Sequence, residues 1–220
     1  DDVKKYAPAS VQYSMIVGCH GEGWMPSSTR STRWFGGSKY QINISDLVDG
    51  IKNANMSMNY ILFDACYMSA VEVAYDLRDV TKYLIASTSE MMSAGMPYKK
   101  ILKHIIKQNP DYASLTKDFI DFYKSNSNPY GTIAVTDCAH IEDMAALMKQ
   151  INSTHEELTN ADRNVQDLDA GHRTPTVYFD FGSYVNALYA DDEGAKAQFS
   201  SLMNELVPYK GCTDYIYSDY

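Results

Sequence analysis

Tyr60-Ile61-Leu62-Phe63-Asp64-Ala65-Cys66 is the stretch on which the fold turns. Four apolar or aromatic residues in a row are entered from polar sequence and closed by small residues. Such a run is too short for a core helix and predicts a strand buried on both faces. Upstream, Val11-Gln12-Tyr13-Ser14-Met15-Ile16-Val17-Gly18-Cys19 is a second compact run that stops at a glycine, placing His20 at the C-terminal end of a strand. Tyr83-Leu84-Ile85-Ala86-Ser87 predicts a third strand and residues 131–137 a fourth. Apolar side chains recur at helical spacing over 44–55, 68–77, 98–107, 115–125, 141–159 and 181–189, with Ser45 placed to cap the first of these. Strands alternating with helices imply a parallel α/β sheet covered on both faces. Residues 26–39, rich in Ser, Thr and Gly, show no periodicity and predict an exposed loop carrying Arg30, Arg33 and Lys39.

The chain has 220 residues, 45% of them hydrophobic, enough to bury a core; residues 1–220 read as a single domain. A net charge of −9 argues against a nucleic-acid partner, because phosphate recognition needs clustered Lys and Arg. No run approaches the roughly 20 apolar residues needed to span a bilayer, so no transmembrane segment is predicted. The four cysteines, Cys19, Cys66, Cys138 and Cys212, lack metal-ribbon or disulfide-scaffold spacing. Cys19 beside His20 has no third and fourth ligand nearby in sequence, which counts against zinc.

In an open parallel sheet, functional groups collect beyond the carboxyl ends of the strands. His20 and Cys66 both fall there. Taken singly, Cys66 reads as a small buried hydrophobe; the joint placement is what points to chemistry. An imidazole beside a thiol generates a thiolate able to attack a carbonyl carbon. Gly21, directly after the histidine, offers a backbone N–H that can approach a reacting oxygen.

Cys19-His20-Gly21-Glu22-Gly23-Trp24 resembles the His-Gly-x-Gly-Trp motif of the clostripain family of cysteine peptidases, and Phe63-Asp64-Ala65-Cys66-Tyr67-Met68 resembles that family's nucleophile motif. Glu72, Tyr75, the strand ending at Ser87 and Gly95-Met96-Pro97-Tyr98 are similar to the stretch that follows the nucleophile. The likeness is strong over residues 11–98 and much weaker beyond. It implies a caspase-like three-layer α/β/α sandwich with a mainly parallel sheet, a Cys66–His20 dyad, and cleavage after Arg or Lys. It also implies that Asp64 sits at the base of the pocket for the residue preceding the scissile bond (P1). Independently, period-two alternation puts Asp64 and Cys66 on one strand face, although an aspartate hydrogen-bonded at a strand end is the plainer reading. Ser87 and Glu90 are candidate further walls of that pocket. A planar guanidinium matches a carboxylate better than an ammonium does, so Arg is the expected preference over Lys.

Family members are often activated by cutting themselves between the two motifs, which makes Arg33 the favoured site, with Arg30 and Lys39 as the others. Some relatives require calcium. Asp191-Asp192-Glu193 and Asp167-Leu168-Asp169 are short acidic clusters without EF-hand spacing, so no metal is expected to be required. Export to a cell surface, periplasm or extracellular space is implied by the resemblance alone. A caspase-like sheet ordinarily has strands before the one bearing the histidine, so a missing chain fragment is expected upstream and after Tyr220. Two other functions share these residues. One is an inert relative that binds basic peptides or a partner protein; the other is a transpeptidase, since hydrolysis and aminolysis pass through the same thioester.

Overall fold

The structure, a computed structural model, describes residues 2–7, 12–26, 33–37, 39–155, 158, 164–169 and 176–217. After a short helix α1 (Asp2–Tyr6), strand β1 (Tyr13–Gly18) runs directly into β2 (His20–Pro26), followed by β3 (Arg33–Gly37), β4 (Tyr40–Asn43) and helix α2 (Ile44–Asn53). Then come β5 (Met58–Asp64), α3 (Val71–Leu77), β6 (Thr81–Ala86), α4 (Tyr98–Ile105), α5 (Tyr112–Lys124) and β7 (Thr132–Asp137). Helices α6 (Ile141–Asn152), α7 (Phe181–Leu188) and α8 (Glu193–Leu206) lead to β8 (Tyr209–Cys212).

The central sheet has the order β1-β5-β6-β7-β8. β1, β5 and β6 are mutually parallel, and β7 runs against both β6 and β8, so four strands point one way and one the other. The expectation of a mainly parallel sheet holds, with β7 as its exception. Two helices, not one, fill the β6–β7 connection, and the second returns the chain to the end of the sheet from which β6 departs.

Period-two alternation divides the core. Ile61, Phe63, Leu84 and Ala134 face α2, α3, α6 and α8, whereas Tyr60, Leu62, Ile85, Ile133 and Val135 face α4 and α5. This gives the predicted α/β/α layering. Phe63, Leu62, Leu84 and Ile85 are each fully buried, and burying each such side chain favours folding by about 1.5–3 kcal/mol.

Three expectations are corrected. The segment 26–39 is not simply a loop: β3 lies within it and forms an antiparallel three-stranded sheet with β2 and β4. Only Trp34 and Phe35 are apolar there, and the strand is secured by long-range packing, with the Phe35 ring edge-on to Phe63 at 5.4 Å. Helix α2 starts one residue before Ser45. Its cap is Asn43, whose backbone N–H and side-chain amide both donate to Asp46. Finally, α3 begins at Val71, leaving residues 65–70 as the turn that carries Cys66. α8 and β8 were not expected, because α8 buries only Phe199 and Leu206 and shows little periodicity.

Candidate active site

The parallel register of β1 and β5 sets the site. Gly18 lies opposite Asp64, and the Cys19 N–H donates to the Asp64 carbonyl at 3.3 Å. His20 and Cys66 each stand two residues beyond that matched pair. His20 is the first residue of β2, paired with Gly36, and not the last of β1. A Cβ on Gly21 would sit 2.5 Å from the Cys66 carbonyl oxygen and 2.8 Å from the Met68 Cγ and Sδ. Only glycine permits that approach, so the histidine loop rests directly on the nucleophile turn. His20 is exposed and Cys66 half-buried, leaving both open to a substrate.

The Cys66 turn is fixed from the next strand. Tyr67 N–H donates to the Ser89 carbonyl at 3.1 Å and Ser69 N–H to the Ser87 carbonyl at 2.9 Å. Tyr67 itself takes a left-handed backbone, φ 58°, rare for a bulky residue, and this conformation turns the chain just after Cys66. Met91 N–H donates to the Cys66 Sγ at 3.3 Å and the Met91 carbonyl lies 3.9 Å from the same sulfur, so the Met91 backbone holds the thiol in place. The other cysteines differ. Burial pushes the Cys138 thiol up to about 12 and raises that of Cys19, so both stay protonated, and Cys212 lies exposed on β8 at the opposite edge of the sheet from β1.

Asp64 closes β5 on the face that packs against α4 and α5. Its Oδ1 accepts from Met96 N–H and its Oδ2 from the Tyr98 hydroxyl, each at 3.0 Å. The Tyr123 hydroxyl donates to the Gly95 carbonyl at 2.8 Å, bracing the same loop. Burial, and then the negative charge of Asp64, push the Tyr98 and Tyr123 phenols well above the usual range, so they act as neutral donors. The result is a half-buried carboxylate with both oxygens anchored.

The other expected residues divide. Ser87 is fully buried, its hydroxyl donating to the Ser89 carbonyl and paired with Thr132 Oγ1 at 2.8 Å, so its side chain supports the site from beneath and does not line a pocket. Glu90 is half-buried in the loop between Ser89 and Met91, next to the residue that contacts sulfur. Arg33 is held in β3 opposite Pro26, Lys39 is exposed in the β3–β4 turn, and Arg30 lies outside the described residues. Among the described residues, no three His, Cys, Asp or Glu side chains converge as a metal site. Asp169 of the second acidic cluster is fully buried, its carboxylate accepting from Val177 and Tyr178 N–H. No helix among the described residues is long and apolar enough to cross a membrane.

Two contributors were not expected. Thr132 Oγ1 lies within 2.8–3.2 Å of Ser87 Oγ, Thr88 N, Thr88 Oγ1, Ser89 N and Ser89 Oγ, knitting together the strand end that holds the Cys66 turn. Tyr178 stacks on Tyr67. Both are far from the motifs in sequence, and neither stands in a pattern that marks it. A cavity of about 1130 Å³ touches this region at residues such as Trp24, Tyr67, Ser69, Ala70, Thr88 and Tyr178; neither His20, Cys66 nor Asp64 lines it. The site is therefore defined by the groups around Cys66 and not by this cavity.

A family model for the clostripain family matches residues 4–216. Among solved structures, the chain is 45% identical to a secreted C11 cysteine protease from Bacteroides thetaiotaomicron, with a TM-score of 0.91 over 98% of this chain. It spans only 63% of the length of that relative. It is also 45% identical to a clostripain from Bacteroides thetaiotaomicron ATCC 29148 in complex with the peptide inhibitor BTN-VLTK-AOMK, over 82% of this chain and 79% of that one, with a TM-score of 0.78. An inactive zymogen C11 protease from Parabacteroides distasonis is similar at 28% identity and a TM-score of 0.79, covering 100% of this chain and 62% of the other. No curated protein matches. With the motif residues gathered at one strand end and the family model spanning nearly the whole sequence, the chain belongs to the clostripain family of cysteine peptidases.

Proposed function

We propose that this chain carries the catalytic centre of a cysteine endopeptidase that cleaves after Arg or Lys through a Cys66–His20 dyad. The observation that carries the reading is the anchored Asp64 carboxylate, which closes β5 two residues before an accessible cysteine. A basic P1 side chain entering the pocket pairs with Asp64 and presents its carbonyl carbon to Sγ. His20 takes the thiol proton, and the thiolate attacks to form a tetrahedral oxyanion, with Gly21 and Cys66 N–H as its donors. Collapse breaks the C–N bond, His20 returns the proton to the leaving amine, and water hydrolyses the thioester. Arg is preferred over Lys through bidentate pairing. The inhibitor bound to the 45%-identical clostripain carries VLTK in its name, which agrees with a basic residue next to the reactive group in that protein.

An activating cut falls after Arg33, with Arg30 and Lys39 as the other sites; the exposure of Lys39 suits such a cut. No calcium is required, and export from the cytoplasm follows the relative described as secreted. The test is hydrolysis of fluorogenic peptides ending in Arg, Lys or Asp by the full chain, beside Cys66→Ala. Cleavage of the first two, faster for Arg, unaffected by EDTA and lost in the variant, is the expected result. Equal cleavage of the Asp peptide, or activity surviving in Cys66→Ala, overturns the reading. Mass spectrometry of the purified chain with Arg30, Arg33 and Lys39 replaced by Gln tests the cut: normal two-chain processing rejects it.

A further inference from the structure

Tyr178 joins the two loops that bear the proposed dyad, although it lies in neither motif. It is 4% exposed. Its ring stacks on that of Tyr67, with centroids 4.1 Å apart and planes 5° from parallel, and Tyr67 directly follows Cys66. Its hydroxyl donates to the Glu22 carbonyl at 2.5 Å, two residues after His20. Gly23 completes the junction. With φ +47°, it sits where a Cβ would lie 2.5 Å from the Tyr67 carbonyl oxygen and 3.1 Å from the Tyr178 ring.

Tyr178 is itself held from several sides. Its N–H and that of Val177 donate to the fully buried Asp169 carboxylate at 3.3 and 3.2 Å, and its carbonyl accepts from Leu168 N–H at 2.9 Å. The Trp24 indole N–H donates to the Val177 carbonyl at 3.1 Å, tying the histidine strand to the same segment. Three stretches, 20–24, 66–67 and 177–178, thus meet at one aromatic ring. None of these contacts involves the Asp64 pocket.

We infer that Tyr178 is a positioning residue that sets the imidazole against the thiol by clamping the His20 loop to the Cys66 turn. The inference rests on the dyad reading. A displacement of about 1 Å between reacting groups lowers turnover about 100-fold while leaving substrate binding alone. The effect of losing Tyr178 therefore falls on kcat and not on KM, because the P1 anchor lies on the other side of the turn.

The experiment compares Tyr178→Phe, Tyr178→Ala, His20→Ala and wild type in the full chain. It reads kcat and KM on an Arg peptide and the pH profile of Cys66 alkylation by iodoacetamide. Tyr178→Phe keeps the stacked ring and loses only the bond to Glu22, so its kcat falls roughly 3- to 10-fold. Tyr178→Ala falls about 100-fold with KM within about twofold. Its alkylation profile moves to higher pH, because a thiol parted from its imidazole ionises later. If Tyr178→Ala does not fold, the Phe variant decides alone by its kcat and alkylation profile. Wild-type kcat and an unmoved alkylation profile in Tyr178→Phe, or KM rising in step with the loss of kcat, overturn the clamp. His20→Ala separates the two levels: activity retained in that variant rejects the dyad itself, whereas activity lost there but kept in both Tyr178 variants rejects the clamp alone.

Discussion

The Asp64 carboxylate and the His20 loop are secured by opposite means. Asp64 is anchored by Met96 and Tyr98, 32 and 34 positions along the chain, through one strand–helix–strand–loop passage. The histidine loop is anchored by Tyr178, which lies 156 positions from the Glu22 carbonyl it reaches. The first wall is built from one continuous stretch of chain; the second needs a residue from its last third. On the proposed reading, charge recognition is a local property of this fold, and alignment of the reacting groups a global one.

That contrast can be attacked from its strong end first. Asp64→Asn removes the pocket's charge and is expected to lower kcat/KM on Arg and Lys peptides about a thousandfold, as loss of a half-buried charge partner does. Assays beside a peptide with a neutral P1 residue check it; an equal fall on that peptide places the effect outside the pocket. Gly21→Ala tests the other wall, where the added methyl collides with the Cys66 carbonyl. Turnover on an Arg peptide should drop about 100-fold with KM nearly unchanged, and thermal unfolding should show a loss of about 1–3 kcal/mol.

A smaller effect is expected beneath both walls. Thr132→Val strips a hydroxyl from the Ser87–Ser89 cluster, leaving buried donors unpaired and destabilising the chain by about 2 kcal/mol in urea unfolding, with Thr132→Ser restoring most of it. The smallest lies far from the site. Asp118 links α5 to α4 through His104 at 2.9 Å and Lys103 at 3.1 Å, and these partners, His104 first, hold its carboxyl below the usual range. A carboxyl depressed in the folded state contributes its stability above the unfolded value of about 4 and loses it as pH falls through the lower folded value. Asp118→Asn should therefore be about 0.5 kcal/mol less stable than wild type at neutral pH, the gap closing only in acid; a gap that instead closes as pH rises refutes the assignment.

How far the sequence foretells this molecule follows the same division. β5 and β6 were legible because a buried parallel strand is a nearly unbroken apolar run; β1 was legible as a compact run too, although as the edge strand it alternates between half-buried and exposed residues and is not buried as its run suggests. Asp64, Gly21, His20 and Cys66 lie at the ends of such runs. β3 was not, since its two glycines and polar neighbours give no strand signal and its stability comes from Phe35 meeting Phe63 across the fold. Ser87 sits at the right strand end yet faces inward toward Thr132, a direction that depends on β7 lying alongside. Tyr178 had no readable signature, because a tyrosine in an irregular segment becomes informative only when its distant neighbours are known.

The immobility of the Asp64 carboxylate has one more consequence. Each oxygen is tethered inside the protein, so the group cannot swing to meet a charge that arrives too early or too late. On the proposed reading, the carboxylate then works as a depth gauge set by the two-residue step from Asp64 to Cys66. A basic side chain one methylene shorter than lysine would stop above the mark with its carbonyl in place, and a longer one would have to buckle.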